Sequence, residues 1–188
     1  MNYFSYCIHT GRFEEGIKAF EEHQNFLRKN KSISFLKNTF YFQYFYLHFG
    51  IQRYDEALGY LNDWLQLKSN EEREDFQALA RVLTLLIHKE MGNIFQIQSL
   101  VRSASRYLQN NSNTTKYEEA VLIYFKRSIK DVDKQDEIKN LSRLLESVRQ
   151  IKSKGTDSNL MNLFDLEVWV ISKLNNIPLK DVIQRRYN

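Results

Sequence analysis

Four histidines and one cysteine are the residues of this sequence whose chemistry could support acid–base catalysis, nucleophilic attack or metal binding. They are Cys7, His9, His23, His48 and His88. Such chemistry requires several groups to converge on one site, but their spacing matches no zinc or catalytic motif, and no phosphate-binding or dinucleotide-binding glycine motif occurs. One cysteine cannot form an internal disulfide or supply the cysteine pairs of a structural zinc site. The sequence therefore predicts a non-enzymatic protein without a metal or cofactor.

The composition of the chain limits the fold that could hold these residues. Its 188 residues are enough for one domain, 43% of them are hydrophobic, and only one proline and six glycines are present. Because so few turn-forming residues are present, β-sandwiches and β-barrels are disfavoured. The composition predicts a single all-α domain over residues 1–188. The sequence contains no signal peptide and no apolar run of about 18 residues, so we expect a cytoplasmic protein without membrane insertion.

The stretch FYFQYFYLHF, residues 40–49, is unusual because aromatic side chains dominate it. Taken alone, it could be a strand, a segment that dips into a membrane, or a helix that is buried on nearly every side. Local propensity cannot decide among these three structures. Internal repeats can decide, because they report on the architecture of the whole chain.

Apolar residues recur along the chain at a spacing of about 40 residues. One such set is Phe20, Leu61, Val101 and Leu141, and a set upstream of it in each period is Phe4, Phe45, Leu85 and Phe125. The repeat predicts units at about residues 1–30, 31–69, 70–111 and 112–154, followed by a terminal helix pair at 155–188.

Each predicted unit contains two helices that are joined by a short turn. A short connection makes the two helices antiparallel, so each unit is a helical hairpin. The second helices are predicted to begin near Phe13, Tyr54, Ile94 and Lys134. Gly11, Gly50 and Gly92 follow the first helices, where a left-handed residue commonly ends a helix.

The second helices of the first two units resemble those of the tetratricopeptide repeat (TPR) family. In RYDEALGYL, residues 53–61, an aromatic residue and two acidic residues precede Ala57, and Gly16 stands at the same point of GRFEEGIKAF, residues 11–20. In that family a small residue at this position lets the two helices approach closely. The resemblance implies a right-handed α-α superhelix of TPR-like hairpins. Its period of about 40 residues is longer than the roughly 34 residues of a TPR unit.

The segment after the fourth unit predicts a terminal helix and a short capping helix. Apolar residues spaced for one helix face are Leu160, Leu163, Phe164, Val168, Ile171 and Leu174. Pro178 then opens a short helix with a polar outer side, as the end of a stack of repeats requires. Because the first helix is shorter than its counterparts, we expect the chain to be the C-terminal part of a longer, bacterial-type array.

The repeat phase places aromatic residues of the 40–49 helix toward the groove that TPR-like arrays form on their concave side. The predicted groove residues are Phe42, Tyr46, Phe49, Val82, Leu86, Lys89, Leu122 and Lys126. A mainly apolar groove disfavours a terminal carboxylate and favours a peptide or a helix of a protein partner. The alternative is that tight winding, or the chain's own end, buries these side chains. We therefore expect a protein–protein interaction scaffold.

Binding of RNA or DNA is the alternative function, because the net charge is +4 and the sequence pI is about 9.0. Phosphate contacts need clustered basic residues. The candidates on helix faces are Arg102, Arg106, Lys139 and Arg143. Asp136, Glu137 and Glu146 are interleaved with the last two of these, a pattern that is typical of a solvated surface.

Overall fold

The computed structural model of the protein describes residues 2–29, 40–66, 74–112, 114–155 and 162–187. Every regular element in these ranges is a helix, which confirms the all-α prediction. The ten helices are α1 (Tyr3–His9), α2 (Phe13–Lys29), α3 (Tyr41–Gly50), α4 (Tyr54–Gln66), α5 (Glu74–Glu90), α6 (Ile94–Asn110), α7 (Lys116–Ser128), α8 (Lys134–Ser153), α9 (Leu166–Asn175) and α10 (Leu179–Tyr187). Within the described ranges, no helix has the length and apolar character needed to cross a membrane.

Helices that follow one another in the chain pack in neighbouring pairs, an arrangement compatible with a helical repeat. The second helices of the predicted units begin at Phe13, Tyr54, Ile94 and Lys134, as the sequence pattern predicts. In addition, α1 contacts α3 and α5 contacts α7, so first helices of neighbouring units touch directly. We call the first helices of the units, α1, α3, α5 and α7, the inner helices, and the second helices, α2, α4, α6 and α8, the outer helices.

The turn between the two helices is closed by the same backbone hydrogen bond in the first three units. The N–H groups of Arg12, Arg53 and Asn93 donate to the carbonyls of Cys7 (2.8 Å), His48 (2.9 Å) and His88 (2.9 Å), respectively. Because each accepting carbonyl belongs to the last turn of a first helix, the bond satisfies a group that the helix itself leaves unpaired. The recurrence of this bond gives the three units a common turn geometry.

A residue with a positive φ angle follows each of these three first helices. Gly11 (φ 68°) and Gly92 (φ 71°) occupy this place as predicted, but in the second unit the residue is Gln52 (φ 62°) and not Gly50. Gly50 is instead the last residue of α3, where a Cβ atom would lie 2.5 Å from the ring of Phe13. Gly50 is therefore required for close packing between α2 and α3.

The small residues of the TPR-like motif lie at close contacts between helices. A Cβ atom at Gly16 would collide with Leu47 and would lie 3.1 Å from the Cβ atom of Cys7. Ala57, at the same position of the second unit, is fully buried. The missing side chain of Gly16 therefore allows α2 to pack directly on both α1 and α3.

Aromatic rings fill the core of the first two units. Within residues 40–49, every side chain except those of Phe40 and Gln43 is buried. The ring of Tyr44 lies 4.8 Å from that of Phe20 in an edge-to-face contact, the geometry that aromatic pairs prefer. The aromatic stretch is therefore a helix that is buried on nearly every side.

The helix α9 differs from the one-sided amphipathic helix that the sequence predicts. It begins at Leu166, because the Asp165 carboxylate accepts a hydrogen bond from the Val168 N–H (3.1 Å) and caps it. Its buried residues point in all directions around the axis and include Leu166, Val168, Trp169 and Val170. Leu160, the first residue of the predicted helix, lies outside the described residues.

The helix α10 contacts the first hairpin of the chain. The Nζ atom of Lys180 lies 2.8 Å from the Glu14 carboxylate at the start of α2. The inward-facing Ile183 is buried and the outward-facing Arg185 is exposed, which is the polarity predicted for a cap. We refer to residues 162–187 as the C-terminal segment, which packs against α8 and returns from there to the first unit.

Candidate partner-binding site on the inner face

The inner face is the side of α3, α5 and α7 that contacts the C-terminal segment. The six apolar residues of the predicted groove are all at most 7% exposed: Phe42, Tyr46, Phe49, Val82, Leu86 and Leu122. They form no open surface within the described part of the chain. The sequence allows either an open groove or burial of these side chains by the protein itself, and in the structure they are buried. Their role in binding a partner stays a prediction.

The ring of Phe164 fills a socket between three aromatic residues of α3. Its centroid lies 5.6 Å from that of Phe45, 4.8 Å from that of Tyr46 and 5.2 Å from that of Phe49. We call these three α3 residues the aromatic socket. Phe164 is fully buried there, so the socket holds one inserted ring without solvent contact.

Two hydrogen bonds between tyrosine hydroxyls and the backbone fix the position of Phe164 and Asp165. The hydroxyl of Tyr117, on α7, donates to the carbonyl of Phe164 (2.8 Å). The N–H of Asp165 donates to the hydroxyl of Tyr46 (3.4 Å). Since Tyr46 belongs to the socket, this residue contacts the C-terminal segment through both its ring and its hydroxyl.

Glu90, at the end of α5, is the polar centre of the inner face. Its side chain is only 8% exposed and accepts hydrogen bonds from Trp169 Nε1 (2.8 Å), Lys173 Nζ (2.6 Å) and the Tyr54 hydroxyl (3.2 Å). Burial, together with this carboxylate, raises the pKa of Tyr54 well above its usual range. A cavity of about 290 Å³ lies beside this cluster and connects it with solvent. The carboxylate thus links α4, α5 and α9.

Glu167 is the second carboxylate that orders the C-terminal segment. Burial acts to raise its pKa, but Arg149 (3.0 Å), Lys152 (3.2 Å) and Arg186 (3.0 Å) more than offset this effect and lower the pKa. Arg149 and Lys152 belong to α8, and Arg186 belongs to α10. The three cations therefore join α8, α9 and α10 at one side chain.

Two other predicted groove residues, Phe42 and Lys89, contact residues outside the aromatic socket. Phe42 packs against Trp64 (5.1 Å between centroids) and Phe76 (5.8 Å). Lys89 pairs with Glu137 at 2.7 Å. Burial acts to lower the pKa of Lys89, but Tyr124 and Glu137 raise it overall. Lys126 is exposed and forms no ion pair within the described residues.

The basic residues of the nucleic-acid hypothesis lie on two outer helices. Arg102 and Arg106 are exposed on α6, and Lys139 and Arg143 are exposed on α8. None of the four forms an ion pair with another described residue. Nucleic-acid binding stays a prediction, since exposure alone does not distinguish a binding face from an ordinary solvated face.

The titratable residues considered for catalysis have separate structural contacts. Cys7 is fully buried, and burial raises the pKa of its thiol, which opposes formation of a nucleophilic thiolate. His23 lies 2.6 Å from the Tyr44 hydroxyl, whereas the Nδ1 of His48 donates to the Tyr44 carbonyl (2.7 Å). Within the described ranges, no three His, Cys, Asp or Glu side chains are placed to hold a metal ion.

Glu90, Trp169 and Phe95 are not among the functional residues that the sequence predicts. Phe95 is 95% exposed on α6, and the neighbouring Ile94 is 67% exposed. The repeat pattern contains no signal for Glu90 or Phe95, because each differs from its equivalents in the other units, and Trp169 lies beyond the repeats. A signal did exist for Trp169, since the run LEVWVI, residues 166–171, is apolar on several sides of a helix and not on one alone.

Comparison with protein-family models, with curated proteins and with solved structures finds no significant match to this chain.

Proposed function

We propose that the protein is a non-catalytic protein–protein interaction scaffold whose inner face holds a helical segment around one inserted aromatic residue. The observation that carries this proposal is the position of Phe164, whose ring fills the aromatic socket of Phe45, Tyr46 and Phe49. The face that the sequence predicts for a partner helix already holds such a segment from the same chain. A partner helix would compete with the C-terminal segment for this face.

The contacts of residues 164–173, which comprise the anchor just before α9 and most of that helix, define the chemistry of the competing partner segment. An aromatic residue fills the socket, a Trp five residues later reaches Glu90, and a Lys four residues after that reaches the same carboxylate. These positions correspond to Phe164, Trp169 and Lys173. The partner is therefore an apolar helix with an aromatic anchor and a nearby basic residue, recognised as a helix in a groove.

We further propose that the hairpins form a TPR-like, right-handed superhelix that acts in the cytoplasm. Three observations support the TPR-like architecture: the neighbouring helix pairs, the recurrent turn hydrogen bond, and the close contact at Gly16. In such an array the inner helices form the usual binding side. The aromatic socket lies on these helices.

A peptide competition experiment tests the proposed inner-face site. The probe is a fluorescent peptide of residues 162–175, and the proteins are the full chain and its Phe164→Ala variant. The tethered segment acts at an effective concentration of about millimolar, so wild type should bind the peptide weakly. The variant should bind it at least about tenfold more tightly, because the alanine side chain no longer fills the socket. Fluorescence anisotropy measures both affinities.

Two controls make the result interpretable. A peptide that itself carries Phe164→Ala should lose binding to the variant protein, since it lacks the anchor. A Trp169→Phe protein, which loses the hydrogen bond to Glu90 and part of a buried ring, replaces the Phe164→Ala protein if the latter does not fold. Equal, weak binding of both peptides to all folded proteins would contradict the proposal. Affinity capture from lysate with the variant then identifies the natural partner.

A further inference from the structure

The outer helices of the chain carry opposite charges in the two halves of the protein. The helix α4 contains the acidic residues Asp55, Glu56 and Asp63 and no Lys or Arg, whereas α6 contains Arg102 and Arg106 and no Asp or Glu. Both helices pack against α5. The exposed faces of these two helices therefore differ in the sign of their charge.

The exposed face of α6 combines the two arginines with an aromatic side chain. Phe95, Arg102 and Arg106 are seven and four residues apart, a spacing that places them along one side of a helix. All three are exposed, and Phe95 has 95% of its surface in contact with solvent. Neither arginine forms an ion pair within the described part of the chain. A fully exposed Phe beside unpaired cations is typical of an interaction surface.

The exposed face of α4 complements α6 in both charge and shape. Its three acidic residues are exposed and form no ion pair with another described residue. Gly59 lies between them in the middle of the helix, and apart from its chain neighbours and the nearby backbone of its own helix, no described atom lies within 4 Å of the position that its Cβ would occupy. A glycine here costs about 1 kcal/mol relative to alanine, and no contact within the described structure requires it. Gly59 leaves a shallow depression in which a large side chain could pack.

We propose that two copies of this chain associate through these faces, with α6 of each copy on α4 of the other. A two-fold axis that runs alongside the two helices creates both contacts at once, because each copy contributes one acidic and one basic face. The arginines of one copy then lie against the carboxylates of the other, and Phe95, seven residues before Arg102, lies at the edge of the contact. This interface is separate from the inner face, so the dimer does not depend on the proposed peptide site.

Sedimentation velocity on the full chain tests the dimer. We expect a concentration-dependent dimer whose dissociation constant rises at least about tenfold between about 0.05 M and about 0.5 M salt, because salt screens exposed charges. The variant R102E/R106E should be monomeric, since two acidic faces then oppose each other. The variant E56K/D63K should be monomeric for the corresponding reason. All four positions are exposed, and circular dichroism checks that each variant is folded.

A mixture of the two charge-reversed variants gives the decisive result. Each variant carries two faces of one sign, so an equimolar mixture should restore a heterodimer in which both contacts are attractive. The matched control is K139E/R143E, which reverses two cations on α8 and should dimerise like wild type.

Wild type that is monomeric at every concentration would overturn the proposal. A dimer that resists both reversals, or a mixture that stays monomeric, would also overturn it. If monomeric wild type binds a single-stranded oligonucleotide, and both R102E/R106E and K139E/R143E abolish that binding, the basic faces serve nucleic acid and the dimer is wrong.

Discussion

The first two units and the last two units of this protein are built on similar hairpins but differ in the chemistry of their cores. In the first half, rings pack on rings, as Phe20, Tyr44 and Tyr60 do. In the second half, aliphatic side chains such as Leu85, Val101 and Leu144 fill many of the corresponding places. The outer surfaces also differ, because α4 is acidic and α6 is basic.

The difference between the two halves explains where the C-terminal segment binds. A Phe ring inserts among other rings of the aromatic half, where edge-to-face and tilted contacts are available on several sides. Toward the aliphatic half the same segment presents Trp169, whose ring lies 6.0 Å from that of Tyr124 and whose N–H needs the Glu90 carboxylate. The two halves thus contact the same C-terminal segment through two different kinds of interaction.

The largest expected effect comes from removing the ring that the aromatic half receives. Phe164→Ala should lower the free energy of unfolding by about 3–5 kcal/mol, because it empties a fully buried site. Phe95→Ala makes the same change at a side chain that is 95% exposed and should alter stability by less than about 0.5 kcal/mol. Urea unfolding followed by circular dichroism measures both. Equal effects of the two substitutions would mean that Phe164 is not buried in solution.

A smaller effect is expected where the two halves meet at Glu90. Glu90→Gln should destabilise the fold by about 1–3 kcal/mol, since it weakens charge-assisted hydrogen bonds from Trp169 and Lys173 at a buried site. Glu137→Gln removes one partner of the Lys89 pair at a carboxylate that is 40% exposed, and should cost about 0–1 kcal/mol. Thermal unfolding at one pH ranks the two variants. The reverse order would show that the Lys89–Glu137 pair, which lies within the second half, stabilises the fold more than the contacts of Glu90 do.

A fall in pH should destabilise the protein through three histidines that are buried or partly buried, two of which lie in the aromatic half. Burial lowers the pKa values of His23, His48 and His88 in the folded state. Below about pH 6.5 the unfolded chain therefore binds protons that the folded chain does not bind, and stability falls as the pH falls. Each histidine contributes at most about 1.4 kcal/mol per pH unit. His48→Gln should reduce the loss of stability between about pH 7 and about pH 5, and an unchanged slope would contradict this assignment.

The smallest effect is expected at the exposed contact between the two ends of the described chain. The Lys180 side chain is 37% exposed and that of Glu14 is 61% exposed, although their hydrogen bond lowers the pKa of Glu14. Lys180→Gln should therefore cost less than about 1 kcal/mol in the free energy of unfolding. A larger loss, measured by urea unfolding, would mean that charge and not apolar packing holds α10 on the first hairpin.

Much of the fold could be predicted because it follows from local patterns that recur. The second helices begin where the apolar pattern places them, and Gly16 lies at a close helix contact as the TPR-like motif indicates. Gly50 shows the limit of this reasoning. Its position suggests a turn, but the ring of Phe13 determines why a glycine is present there. Such a requirement depends on a neighbouring helix and has no local signal.

The candidate site was predicted less completely than the fold. The repeat phase identifies Tyr46 and Phe49 as neighbours on one face, and both belong to the aromatic socket. It could not identify Phe164 as the occupant, because Phe164 and Tyr46 are far apart in sequence and no repeat relates them. Pairing between a non-repeated segment and a repeated surface depends on tertiary packing alone. The all-round apolar run that follows Phe164 was the available signal for burial on both sides.

The return of the C-terminal segment to the first hairpin affects how the protein unfolds. In an open stack of repeats each unit contacts only its neighbours, so end units can fray while the middle stays folded. Here Lys180 contacts Glu14 across 166 residues, and Phe164 contacts α3 from beyond the fourth unit. Loss of the first hairpin therefore uncovers α10, and loss of the C-terminal segment uncovers α3. The ends of the chain should lose protection against hydrogen exchange together with the middle, in one cooperative transition.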